Sequence, residues 1–205
     1  MLRDGLCSIL ASESDMEVVG EAGDGRTAVS MCRTLVPDVV VMDIAMPDLN
    51  GVEATRQIKR ENPNVKVVAL SMYPDRRYVI GMLEAGASGY VLKASAYDEL
   101  RRAVRVVSEG KKYLSPDITG VVVEAQVRSA PTDDTSPYKI LGPREREIVQ
   151  LLAEGKTSPQ IAQQLHISTG TVDTHRRNIM KKLGIHTVVE LTKYAIREGL
   201  TSIDH

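Results

Sequence analysis

The chain has 205 residues, of which 42% are hydrophobic and 26% are charged. This composition is that of an ordinary globular protein and excludes a largely disordered chain. The length accommodates two small domains, since domains cluster near about 100 to 150 residues. The formal net charge is −1, but residues 138–205 carry ten Lys and Arg against seven Asp and Glu. This mildly basic segment indicates a polyanionic partner for the C-terminal part alone.

Membrane insertion, secretion and metal or redox chemistry at cysteine are all disfavoured. No apolar run approaches the roughly 18 residues that a membrane span requires, and residues 1–10 contain charges where a signal peptide is apolar. We therefore expect a cytoplasmic protein without a membrane partner. Cys7 and Cys32 are not spaced as a CxxC pair, so we interpret them as small buried apolar residues.

The first half of the chain alternates between short apolar runs and helical periods. The predicted strands cover residues 16–22, 38–42, 65–70 and 88–92, and the predicted helices cover residues 27–35, 52–59, 78–85 and 100–107. Strands that are apolar throughout are typical of a parallel sheet covered on both faces. The alternation therefore predicts a doubly wound α/β domain.

A change of amino-acid composition separates the two halves of the chain. Residues 115–137 are rich in Pro, Ser, Thr and Asp, with a short helix predicted over residues 118–127, and residues 129–137 have the composition of a flexible connector. We accordingly predict an N-terminal domain over residues 1–112, a linker over residues 113–137 and a C-terminal domain over residues 138–203.

Every signal in the C-terminal part is helical. Gly142, Pro143 and Glu145 together begin a helix that runs to about residue 154, and Ser168 caps another. The predicted helices cover residues 143–154, 158–165, 169–183 and 188–198. This part is therefore predicted to be a small all-α domain of four helices.

Three polar side chains are predicted to meet at one rim of the α/β sheet. Asp43, Ser71 and Lys93 each follow the end of a predicted parallel strand, where open α/β sheets hold their chemistry. Asp43 could accept a phosphoryl group as a nucleophile, with Lys93 and Ser71 binding its oxygens. The alternative is that each is an ordinary polar residue at a strand end.

The residues around this rim resemble a bacterial response-regulator receiver domain. The resemblance rests on residues 37–43 (PDVVVMD), Pro47, Asn50-Gly51, residues 69–71 (ALS) and residues 84–93 (EAGASGYVLK). It implies that Asp43 is the phosphoacceptor for a sensor histidine kinase, that Lys93 and Ser71 contact the phosphate, and that Tyr90 is the aromatic switch. It also implies Mg²⁺ as a cofactor, bound by Asp43 and the backbone carbonyl of Ala45.

One departure from the receiver pattern concerns the beginning of the chain. Receiver domains open with a central strand that ends in an acidic pair for Mg²⁺, whereas residues 1–6 (MLRDGL) match the family's first helix. We expect either that the natural start lies upstream, which we favour because the rest of the phosphorylation trio remains, or that the receiver is degenerate. In the second case the receiver would serve only for dimerisation or docking, independently of phosphorylation.

The C-terminal helices predict a helix-turn-helix. Only residues 166–168 separate the second and third helices, which suits two helices that cross steeply. Ile161, Ala162 and Leu165 would pack against Val172, Ile179 and Leu183. The free face of the third helix would present a polar and cationic set to the major groove of double-stranded DNA, namely Thr169, Thr171, Asp173, Thr174, Arg176, Arg177 and Lys181. Lys182 would join Arg176, Arg177 and Lys181 in neutralising DNA phosphates. The alternative is that this helix face is only solvated, in a helical bundle that does not bind DNA.

This segment resembles the LuxR-type DNA-binding domain. The resemblance rests on residues 141–155 (LGPREREIVQLLAEG), Ile161-Ala162, Ile167-Ser168, Thr171-Val172, Thr174-His175-Arg176, Ile179-Met180 and Lys182-Leu183-Gly184. It implies a homodimer on DNA, paired through the last helix, where Val188, Leu191 and Ala195 recur at a helical spacing that is more often typical of a core than of an interface. Three residues depart from the pattern, since Gly142 replaces a capping Thr, His166 replaces the turn glycine and Asp173 replaces a common Lys.

Together the two resemblances predict a two-component transcriptional regulator, with RNA polymerase as a further partner. An α/β enzyme with a helical appendage is disfavoured, because no second catalytic carboxylate or nucleophile–base pair accompanies Asp43. We therefore expect no enzymatic turnover of a small molecule.

Overall fold

The computed structural model describes residues 2–72, 74–127 and 140–201. The chain divides into two compact units, one formed by Met1–Met46 with Gly51–Arg128 and the other by Pro47–Asn50 with Ser129–His205. The predicted connector at residues 129–137 lies outside the described residues. The helices and strands of the first unit, in chain order, are α1 (Leu2–Ala11), α2 (Gly25–Leu35), β1 (Val39–Asp43), α3 (Gly51–Glu61), β2 (Lys66–Ser71), α4 (Arg76–Glu84), β3 (Gly89–Leu92), α5 (Ala96–Ser108), β4 (Tyr113–Leu114) and α6 (Pro116–Val127).

The first unit is built on a parallel sheet with strand order β1-β2-β3-β4. Alternate residues of a strand point to opposite faces. Val68 and Val91 therefore pack on one face with Leu6 of α1 and Leu100 of α5, whereas α3 packs against β1 and joins α2 and α4. Helices thus cover both faces, and the prediction of a doubly wound α/β fold is confirmed.

The prediction of a strand over residues 16–22 is wrong. These residues form no ladder with any described strand, although their apolar residues alternate. A strand requires hydrogen bonds to a neighbouring strand, and residues 16–22 have none. Among the described residues, β1 is therefore paired on one side only, with β2. The side chains of Val39, Val40 and Val41 are accordingly half-buried, whereas β2 is almost entirely buried.

The other predicted elements of this unit are confirmed to within a few residues. The two-residue strand β4 is absent from the predictions, since two residues are too few to show a period. Helix α6 begins two residues before the predicted residue 118, where Ile118 is fully buried and α6 packs against α4.

The four helices predicted for the second unit are present in its described residues. They are α7 (Pro143–Ala153), α8 (Ser158–Leu165), α9 (Thr169–Leu183) and α10 (Val188–Arg197). Their core includes Ile148 of α7, Ile161 of α8, Ile179 of α9 and Leu191 of α10, each with no exposed surface. The small domain is therefore held by apolar residues contributed by every helix.

Glu145 ties the beginning of α7 to the end of α9. Its Oε2 accepts a 2.9 Å hydrogen bond from the Gly142 amide, and Lys182 Nζ lies 2.7 Å from both carboxylate oxygens. Burial opposes the charged form of Glu145, but the bonds from Lys182 and Gly142 outweigh it and lower the pKa of the carboxyl group below its usual value. The carboxylate supplies the half of a capping box that satisfies the Gly142 amide, whereas Gly142 has no side chain to supply the other half.

We predict that Glu145→Gln destabilises the second unit in a pH-dependent way. A carboxyl group whose pKa is lowered in the folded state stabilises that state above its unfolded pKa, and this stabilisation disappears as the pH falls through the folded pKa. Near pH 7 the variant should lose about 1 to 2 kcal/mol of unfolding free energy. Hydrogen exchange of the α7 and α9 amides, compared with the wild type at the same pH, measures this difference.

The partner variant Lys182→Met provides the control. Lys182→Met should lower the hydrogen-exchange protection of these amides by a similar amount near pH 7, and the gap between each variant and the wild type should narrow at an acid pH below the folded pKa of Glu145. Equal gaps at both pH values would show that the charge of Glu145 does not stabilise the fold.

Candidate functional site

Asp43 lies at the carboxyl end of β1, where a tight turn holds it. The Ala45 amide donates a 3.3 Å hydrogen bond to Asp43 Oδ1, and the Gly51 amide donates a 2.9 Å bond to the carbonyl oxygen of Ile44. A Cβ on Gly51 would lie 2.0 Å from the carbonyl oxygen of Asp43, so the turn requires glycine. The sequence signal of a turn at Gly51 therefore reflects a close backbone approach.

Lys93 pairs directly with Asp43. Its Nζ lies 2.5 Å from Asp43 Oδ2, and 15% of its side chain is exposed compared with 34% for Asp43. Lys93 opens a short 3-10 helix, Lys93–Ser95, directly after β3. Lys93 follows β3, and β2 lies between β3 and β1. The pair of Asp43 and Lys93 therefore spans the ends of three strands.

Ser71 and Tyr90 form a second polar pair in the same unit. Ser71 is the last residue of β2, and Tyr90 is fully buried on β3. Burial raises the pKa of Tyr90 to about 12, and a hydrogen bond with Ser71 acts in the opposite direction. The phenol is therefore neutral at physiological pH, and its hydroxyl group is turned towards Ser71.

The strand register brings the ends of β1, β2 and β3 together. Asp43 is opposite Leu70, the residue before Ser71, and Ser71 is opposite Leu92, the residue before Lys93. A carboxylate, a hydroxyl group and an ammonium group thus lie at the carboxyl ends of adjacent strands. Such a rim can accept a negatively charged group on the carboxylate and bind it with the other two.

The described residues supply part of the Mg²⁺ site that the receiver resemblance implies. Mg²⁺ at a phosphoryl site is bound by one or two carboxylates with phosphate and water. Asp43 and the carbonyl of Ala45 are present, but in residues 2–72, 74–127 and 140–201 no cluster of three His, Cys, Asp or Glu side chains could hold a metal ion. Asp4 belongs to the first turn of α1.

In the second unit, α8 and α9 form a helix-turn-helix. His166 ends α8 in the left-handed conformation with φ of 54°, and the Ser168 hydroxyl oxygen accepts a 3.0 Å hydrogen bond from the Thr171 amide to cap α9. Ile161, Ala162 and Leu165 share the core with Val172 and Ile179, and Leu183 packs against it. The predicted packing at the crossing of the two helices is therefore confirmed.

Most of the residues predicted to bind DNA lie on the exposed face of α9. Thr169, Thr171, Asp173, Thr174, Arg177 and Lys181 are exposed, whereas Arg176 and His175 are half-buried. Arg177 folds along the helix, with its Nε 3.4 Å from the carbonyl oxygen of Asp173 and one terminal nitrogen 3.3 Å from Thr174 Oγ1. Lys182 is paired with Glu145, so less of its charge is available for phosphate.

Sequence reasoning missed two interactions around α8. The Thr157 amide donates a 2.8 Å hydrogen bond to Gln160 Oε1, which belongs to a capping box that the order Thr-x-x-Gln could have revealed. Ser158 Oγ donates a 2.7 Å hydrogen bond to Asp173 Oδ1. No local pattern could have revealed this second bond, because its partners lie on different helices.

Two expectations about the whole chain can be compared with the described residues. Within these residues, no helix is both long enough and apolar enough to cross a membrane. Cys32 is buried and Cys7 is half-buried, and neither forms a disulfide.

Known proteins resemble the chain over both units. Residues 1–105 match the response regulator receiver domain, and residues 139–195 match the bacterial regulatory proteins of the luxR family. The response regulator UvrY of Escherichia coli (strain K12) is 37% identical over 204 residues, covering 100% of this chain and 93% of that protein. The transcriptional regulatory protein LiaR of Bacillus subtilis (strain 168) is 38% identical over 202 residues, covering 98% of this chain and 95% of that protein.

A solved structure gives the same result. RcsB from Salmonella enterica serovar Typhimurium, bound to the promoter P1flhDC in the presence of phosphomimetic BeF3−, matches with a TM-score of 0.59 and 25% identity, covering 98% of this chain and 94% of that one. The chain belongs to the LuxR family of two-component response regulators, which are transcriptional regulators that join a receiver domain to a helix-turn-helix DNA-binding domain.

Proposed function

We propose that Asp43 accepts a phosphoryl group from a sensor histidine kinase and that this change controls how α9 binds the major groove of double-stranded DNA. The chain would act as a homodimer on two half-sites, in the cytoplasm, with RNA polymerase as a further partner. Residues 1–112 would form the receiver, residues 113–137 the linker and residues 138–203 the DNA-binding domain.

The pairing of Lys93 with Asp43 is the observation that carries the first half of this proposal. In the transfer, an Asp43 carboxylate oxygen would form a bond to phosphorus while the bond from phosphorus to the kinase histidine breaks, and the histidine would keep that electron pair. The phosphoryl group adds a charge of about −1.5 to −2. The ammonium group 2.5 Å from Asp43 Oδ2 is suited to balance this charge.

Ser71 and Tyr90 supply a route by which phosphorylation could be sensed. A phosphoryl group on Asp43 would offer new acceptor oxygens to the Ser71 hydroxyl group, which is 5% exposed and bonded to Tyr90. If the Ser71 hydroxyl group bonds to the phosphoryl group instead, the fully buried Tyr90 phenol loses its hydrogen bond with Ser71. We propose that this rearrangement alters dimerisation of the DNA-binding domain.

The second half of the proposal rests on the exposed polar face of α9. Arg177 and Lys181 are exposed there, next to small hydroxyl side chains that allow close approach to bases. The relative RcsB is bound to a promoter, which supports the same mode of binding here. The second candidate function is a transcription factor whose receiver only docks or dimerises, independently of phosphorylation.

We predict that acetyl phosphate labels the wild-type chain at Asp43 and that Asp43→Asn removes the label. Intact-mass and peptide mass spectrometry in a buffer that contains Mg²⁺ would measure the transfer. Asp38→Asn is the matched control, because Asp38 lies just before β1 and should leave the label in place. A wild-type chain that stays unlabelled would exclude phosphorylation and favour the docking function.

We predict that Lys181→Ala weakens DNA binding and reduces its salt dependence. Each phosphate contact releases a counterion, so losing one should lower the slope of log K against log salt by about 0.9. Fluorescence anisotropy with labelled duplex DNA across a salt series measures the slope. Arg33→Ala removes the same charge from the first unit, where Arg33 is paired with Glu61, and should leave the slope unchanged.

A further inference from the structure

We propose that Asp173 is a specificity-determining residue that accepts a hydrogen bond from the N4 amino group of one cytosine in each half-site. Ser158 acts as a positioning residue for its carboxylate. This inference rests on the proposed binding of α9 in the major groove, and it identifies which base α9 selects and by which group.

The hydrogen bond from Ser158 Oγ to Asp173 Oδ1, 2.7 Å long, is the observation behind this proposal. Ser158 is the first residue of α8 and Asp173 lies on α9, and buried Ile161 and Val172 fix the two helices to each other. The carboxylate is therefore held from a second helix although it is exposed. Oδ2 has no hydrogen-bond partner in the part of the chain that the structure describes, so one acceptor remains available.

The hydroxyl groups of two neighbouring threonines already have hydrogen-bond partners, unlike Asp173 Oδ2. The Thr174 hydroxyl group donates to the carbonyl oxygen of Gly170 at 2.8 Å, and Thr171 Oγ1 lies 2.8 Å from Ser168 Oγ at the helix cap. Both hydroxyl groups are thus bonded within the helix. Ordering a side chain during binding costs about 0.5 to 1.5 kcal/mol, and Ser158 removes much of that cost for Asp173.

The chemistry of an ionised carboxylate selects cytosine. A carboxylate only accepts hydrogen bonds, so the acceptor groups of guanine and thymine repel it in the major groove. Adenine offers its N6 amino group beside its own acceptor N7, whereas the major-groove edge of the cytosine base itself offers only the N4 amino donor. Because the carboxylate also repels phosphates, Asp173 should contribute discrimination between bases and reduce affinity for DNA of mixed sequence.

The test selects binding sites from a library of random DNA duplexes with the full chain and its variants. The wild type should select a motif with one C·G pair per half-site that Asp173→Ala no longer selects, with all other positions unchanged. At that pair the preference for C should fall about tenfold, the effect of losing one good base contact. Affinity for mixed-sequence DNA should rise in the same variant.

Variants of Ser158 separate positioning from general stability. Ser158→Ala should weaken the preference at the same base pair alone, and Ser158→Thr, which retains a hydroxyl group, should restore it. Gln163→Ala is the control, since Gln163 is an exposed residue of α8 whose side chain forms no bond to α9 among the described residues. A wild-type chain that selects no motif overturns the proposed DNA binding itself, whereas a motif that is the same in wild type and Asp173→Ala overturns only this inference.

Discussion

The parallel pairing of β1, β2 and β3 is the constraint on which the candidate phosphorylation site depends. The carboxyl ends of parallel strands lie at the same edge of a sheet, so the residues that follow neighbouring strands lie close together there. The register then brings Asp43, Ser71 and Lys93 to adjacent strand ends, and Lys93 reaches Asp43 at 2.5 Å. Three residues that are far apart in sequence become one site through backbone hydrogen bonding alone.

The DNA-binding unit depends on a constraint of the same kind in its three-residue turn. His166 adopts the left-handed conformation, which costs a residue with a side chain about 1 kcal/mol. In return Ile167 donates a hydrogen bond to the Ala162 carbonyl oxygen, and Ser168 caps the next helix. The shared core of α8 and α9 offsets the cost and leaves the outer face of α9 exposed.

Local patterns predicted what depends on local physics. The bounds of α8 follow from periodicity and those of α9 from periodicity and the Ser168 cap, and both agree with the structure residue by residue. Residues 16–22 show why the strand prediction failed, because alternation reports an extended chain whereas a strand also needs a neighbour. The bonds from Lys182 to Glu145 and from Ser158 to Asp173 join separate helices, so tertiary packing created them and no sequence spacing could reveal them.

The central claim is that phosphorylation at Asp43 controls DNA binding through α9. The most direct test measures the affinity of the full chain for a selected duplex before and after treatment with acetyl phosphate, in the wild type and in Asp43→Asn. We expect tighter binding after treatment for the wild type and no change for Asp43→Asn. Equal affinities in all four measurements would exclude control of DNA binding by phosphorylation and leave the first unit with a docking function only.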